Sequence, residues 1–158
     1  MTRFLKLLGV VSALGLCLAG SAAGEVVTNT IVPIAATSFV PCADGGAGEY
    51  VALTGALHVK VSVTVDGAGG LHVTESYQPQ NVTGTGLTTG TTYEATGMTN
   101  SVSNASGDGG FNNKFEDIFR IIGPGPGNNL LVHENFHLEV DSDGNVTLLD
   151  DTFTATCK

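Results

Sequence analysis

Between Val51 and Val65 the chain alternates. Val51, Leu53, Leu57, Val59, Val61, Val63 and Val65 share one parity, interrupted only by Gly55. Ala52, Thr54, Ala56, His58, Lys60, Ser62 and Thr64 share the other. Successive strand side chains point to opposite faces, so this segment predicts one long strand with an apolar face and a mostly polar face. Asp66-Gly67-Ala68-Gly69-Gly70 then turns the chain, and Leu71–Tyr77 returns as the second arm of a hairpin. A second hairpin follows the same plan: Leu130–Val140, a turn over Asp141–Asn145, and Val146–Thr156. The two overlay with His58 on His133, Val65 on Val140, Asp66 on Asp141 and Gly69 on Gly144, which reads as a pseudo-repeat of a β-ribbon. Steric demand for glycine in such turns is the simpler source of the likeness.

Further strands are expected at Val26–Ile34, Thr37–Val40, Thr91–Met98 and Lys114–Ile122. Gly-, Thr-, Ser- and Asn-rich stretches at Thr83–Gly90, Asn100–Gly110 and Gly123–Asn129 are expected to be loops. No segment after residue 25 has a helical period. The pattern predicts an all-β domain, a single antiparallel up-and-down β-barrel of about eight strands. A β-sandwich is the alternative.

The first 23 residues break this pattern. Arg3 and Lys6 precede an apolar run from Leu7 to Leu18, and Ser21-Ala22-Ala23 offers small residues for cleavage. We read 1–23 as a signal peptide and 24–158 as one β-domain. The apolar run is shorter than the roughly 20 residues of a spanning helix and is diluted by glycine and serine. Leu16 before Cys17, with the apolar run continuing beyond it, argues against a lipid anchor. The expected location is secreted, extracellular or periplasmic, with no membrane span after cleavage. Cys42 and Cys157 then form an even pair in an exported chain and are expected to join as a disulfide. Lys60, Lys114, Arg120 and Lys158 remain against all 15 acids, a formal charge of −11. Nucleic acid is thereby an unsuitable partner, because phosphate contacts need a basic face.

Three motifs resemble chemistry. His133-Glu134-Asn135-Phe136-His137 matches the zinc-protease pattern H-E-x-x-H, which works on a helix. Here Leu130, Val132, Phe136, Leu138 and Val140 alternate with polar residues, so the motif lies on a strand. Four strand residues separate the two imidazoles by about 13 Å, and zinc needs nitrogens at about 2.0–2.1 Å. We therefore reject the zinc-protease reading; no metal site and no cofactor is assigned. Asp141-Ser142-Asp143-Gly144-Asn145 has the oxygen ligands of a calcium loop but not its spacing, and reads as a turn. Gly123-Pro124-Gly125-Pro126-Gly127 lacks the ending of a phosphate loop and reads as a stiff connection. Sequons at Asn81, Asn104 and Asn145 matter only in a eukaryotic host.

Strand parity singles out a fourth feature. Glu75 and Tyr77, Asp117, and Glu134 fall on the apolar parity of their strands. A buried carboxylate is costly unless paired, protonated or solvated. We expect these four residues to line one interior or mouth as a ligand-binding site. The leading reading is a non-enzymatic domain that binds a small molecule or a cell-surface partner. The alternative is an interior acid/base enzyme of isomerase or cyclase type, with Glu134 and Asp117 moving protons.

The segments Pro41–Glu49, Arg120-Ile121-Ile122-Gly123 and His133–His137 resemble an uncharacterised family of short secreted bacterial proteins. The resemblance covers most of the mature chain. It implies a bacterial exported protein and carries no known activity. Lipocalins share the barrel idea, but their strand-one Trp has no counterpart in a chain without Trp.

A strand assignment for residues 130–140 predicts far-UV circular dichroism without helical minima and no stoichiometric zinc. One zinc per chain with peptidase activity would contradict it.

Overall fold

The alternating segments all form strands, and the chain runs through them in spatial order. The computed structural model describes residues 25–158, so the leader assigned to 1–23 lies outside them. The strands are β1 (Glu25–Val40), β2 (Glu49–Val65), β3 (Leu71–Gly86), β4 (Thr92–Ala105), β5 (Phe111–Ile122), β6 (Asn129–Val140) and β7 (Val146–Cys157). A short 3-10 turn, Asp44–Gly46, precedes β2. Each strand pairs antiparallel with the next, giving one seven-stranded up-and-down sheet.

The count is seven rather than about eight because the two expected strands before residue 40 are one. β1 runs through Pro33 and pairs with β2 from Thr28↔Val61 to Val40↔Glu49. A proline is tolerated there because β1 is an edge strand. Two expected loops are about half strand. β3 continues to Gly86 and β4 to Ala105. Gly84 is a packing residue: a side chain there would strike Val51 and Leu53. Ser101 and Ser103 face Asn113, whose amide donates to their hydroxyls at 3.3 and 2.9 Å. Small and polar residues thus serve the sheet where composition suggests a break.

Three turns share one end of the sheet and one design. Asp66–Gly70, Ser106–Gly110 and Asp141–Asn145 each close with the first residue's N–H on the fifth carbonyl, at 2.9, 2.8 and 2.9 Å. The fourth residue is glycine in the left-handed region, at φ 83°, 101° and 84°. The middle turn extends the likeness seen between the outer two. Asp141 Oδ1 accepts the N–H groups of Asp143 and Asn145 at 3.0 and 2.8 Å, which is turn chemistry.

The sheet is rolled. Six steps of about 4.8 Å would hold β1 and β7 roughly 29 Å apart in a flat sheet. Instead the Cys42–Cys157 disulfide brings the chain just after β1 onto the end of β7, with Cα atoms 5.6 Å apart. The buried core gathers at this cinched end: Val40 from β1, Val51 and Leu53 from β2, Val82 from β3, Tyr93 and Ala95 from β4, Ile121 from β5 and Leu130 from β6. Inward positions are therefore known for β1 to β6. Among the described residues no ladder joins β1 to β7, so the sheet is not closed by hydrogen bonds. β7 is exposed along its whole length, including Leu149 and Phe153. Among the described residues no helix is long and apolar enough to cross a membrane.

The disulfide spans 115 residues, a loop whose cross-linking contributes about 4–5 kcal/mol in the chain-entropy model. Replacing both cysteines by serine is expected to lower unfolding free energy in urea by about that amount. Unchanged stability would mean that the roll holds without the link.

Candidate functional site

The roll sorts side chains by parity, and the ladders place them in rows across the inner face. One row runs Val59, Tyr77, Thr99, Asp117, Glu134 and Phe153. The next runs Val61, Glu75, Ser101, Phe115, Phe136 and Asp151. All four residues singled out by parity thus occupy adjacent rows of the same face. Each is half-buried.

Their contacts divide into two groups. The Tyr77 hydroxyl donates to Glu75 Oε1 at 3.2 Å. Burial raises the Tyr77 pKa, and the neighbouring Glu75 carboxylate adds to the rise through charge and this hydrogen bond. Asp117 and Glu134 sit directly opposite on β5 and β6. Like charges directly opposite one another disfavour a sheet. Thr99 links the groups: it is opposite both Tyr77 and Asp117, and its hydroxyl donates to Asp117 Oδ1 at 2.6 Å.

Between the core and these rows lies a cavity of about 240 Å³. Its walls are mostly carbon, from Ile34, Leu53, Leu57, Pro79, Val82 and Phe119. Tyr77, Thr99 and Asp117 supply the polar side chains of the lining. Gly97, opposite Phe119, brings no side chain to this layer, which helps keep the space open. Glu75 and Glu134 stand beside the cavity rather than in its wall. Thr99 and the apolar wall were not anticipated as site residues. Thr99 shares the parity of Tyr93 and Ala95, so extending β4 by a few residues would have found it.

A further inner-face carboxylate was not anticipated. Glu49 is 2% exposed, at the cinched end. Its Oε2 accepts the N–H groups of Thr88 and Thr89 at 3.2 and 3.0 Å. Its Oε1 accepts the hydroxyls of Thr89 and Tyr93, both at 2.8 Å. Desolvation pushes the Glu49 pKa up, but these donors outweigh it and hold the group below the ordinary value. Tyr93, buried against that carboxylate, is pushed up to about 12. Parity with Val51 was the available signal. The cluster anchors the Gly86–Thr92 turn to β2, so we assign it to architecture.

The histidines lie on the outer face. β6 is a strand through His133–His137, so both imidazoles point away from the Glu134 side. His133 is 3.2 Å from Asn135 and 3.7 Å from Glu116. His137 lies 3.0 Å from Asn112 and 3.1 Å from Glu139. His58 lies 2.7 Å from Asn29 Oδ1. His72 lies between Asn104 and Asp66, at 2.8 and 3.1 Å; those hydrogen bonds hold its proton and raise its pKa. Among the described residues no group of three or more His, Cys, Asp or Glu side chains is arranged to hold a metal ion.

No protein-family model matches the chain, and neither a curated protein nor a solved structure matches it.

The Glu49 network predicts a pH dependence. The folded pKa lies below the ordinary value of 4.5, so its contribution is present above that pH and is lost as pH falls through the folded value. Glu49→Gln is expected to lower the melting temperature at pH 7 and to flatten the loss of stability below pH 4.5. An unaltered acid limb of the Tm–pH curve would contradict this.

Proposed function

We propose that this is an exported protein that binds a small molecule inside its rolled sheet. The observation that carries the reading is the inner cavity, where an apolar wall meets three convergent polar side chains, Tyr77, Thr99 and Asp117. Binding sites for small molecules have this composition: hydrophobic lining with a few placed polar groups. We read the sheet as an incomplete up-and-down barrel, held shut at one end by Cys42–Cys157 and open at the end of the three Gly turns. Export agrees with the disulfide, which persists in oxidising compartments. It also agrees with the leader-like pattern of 1–23 and the resemblance to secreted bacterial proteins.

A second reading rests on the Tyr77–Glu75 contact and the opposed Asp117 and Glu134. Groups so placed can pass protons to and from a bound molecule, as an isomerase or cyclase requires. The cell-surface reading has a different support, the exposed apolar residues of β7.

Native mass spectrometry of the protein isolated from its own culture medium tests the binding reading. A non-covalent adduct is expected on the wild type and not on Leu57→Trp, which fills the cavity. No adduct, or the same adduct on both proteins, would contradict it. An adduct that converts to a new mass on incubation would favour the enzyme.

A further inference from the structure

We infer that the cavity takes an organic ammonium: a small apolar body ending in a protonated amine, bound to Asp117. The inference rests on the binding reading above and names the ligand's class. Its first ground is the state of Asp117. Thr99 donates to Oδ1 at 2.6 Å, while Oδ2 takes no hydrogen bond from the described residues. Asp117 is half-buried beside a largely carbon wall, and its free oxygen is open to a charged donor, the strongest kind of partner a carboxylate takes.

The second ground is the distribution of charge between the two faces. Glu75, Asp117 and Glu134 lie in the two inner rows. Lys60, Lys114 and Arg120 have the opposite parity and face outward, and Lys158 follows β7. No basic side chain of the described strands is thus available to neutralise Asp117 from within. Glu134, opposite it, adds to the negative potential. The third ground is the wall itself. Tyr77 and Phe119 both line the cavity, and aromatic rings favour cations.

Other ligand classes fit less well. An anion would meet Asp117 and Glu134 with no cation to offset them. A polyol needs many hydrogen-bond partners, and the wall offers three. A calcium or magnesium ion needs about six or more oxygen ligands, against walls that are mostly carbon. The volume, about 240 Å³, lies below the roughly 300–1,000 Å³ typical of drug-sized sites, so the ligand is small.

Calorimetric titration with three near-isosteres tests the class: 2-phenylethylamine, 2-phenylethanol and phenylacetate. The amine is expected to bind at least about ten-fold tighter than the alcohol, and phenylacetate not at all. Asp117→Asn is expected to remove the amine's advantage while leaving the alcohol's affinity within about two-fold. Thr99→Val, which removes the hydroxyl that orients Asp117, is expected to reduce the advantage partly; Glu116→Gln on the outer face is expected to change nothing. Thermal unfolding of each variant confirms that it is folded. Equal binding of amine and alcohol, or an amine preference that survives in Asp117→Asn, would overturn the class and leave the pocket standing. Binding of none of the three would overturn pocket and class together.

Discussion

One covalent link decides the shape of this molecule. Strands that follow one another in order build a sheet whose first and last members are as far apart as the sheet is wide. The Cys42–Cys157 bond joins those extremes at one end. That end must therefore roll, and the apolar parity of every strand from β1 to β6 turns inward to make the core. The opposite end has no such bond and no β1–β7 ladder among the described residues. The result is a buried core beside the disulfide and three near-identical turns at the opposite end.

The candidate site lies next to that core. At the cinched end strands approach so closely that Gly84 is needed beneath Val51 and Leu53. Farther along, Tyr77, Thr99 and Asp117 line the cavity, with Tyr77 bonded to Glu75 and Thr99 to Asp117. Two inner-face carboxylates show the contrast. Glu49, within the tight end, is satisfied by four donors and cements a turn. Asp117, within the hollow, has the Thr99 hydroxyl and a facing acid. The first is spent on architecture; the second is available to a guest.

Much of this was legible in the residues. Period-two alternation located β2 and β6 nearly to their ends, because one face of each is apolar and the other mostly polar, and β7 followed as the return arm of the second hairpin. The same parity placed Glu75, Tyr77, Asp117 and Glu134 each on the apolar side of its own strand, and it separated Glu134 from the two histidines of the H-E-x-x-H motif. Composition failed where small residues do packing work. Thr83–Gly86 and Asn100–Ala105 read as loop, yet Gly84 fits beneath two core side chains and Ser101 and Ser103 bond to Asn113. Register across strands is a long-range property, so the row joining Tyr77, Thr99 and Asp117 was not readable from local pattern. The open seam between β1 and β7 was hidden for the same reason.

The central claim is that the sheet rolls until its two edges meet at the disulfide end, enclosing an inner face. Methyl-labelled nuclear Overhauser spectroscopy measures this directly. The account predicts cross-peaks that link Val40 and Val51, on β1 and β2, to Ile121 and Leu130, on β5 and β6, strands that share no ladder with them. Cross-peaks confined to hydrogen-bonded neighbours would describe a flat sheet, and the enclosed site would not exist.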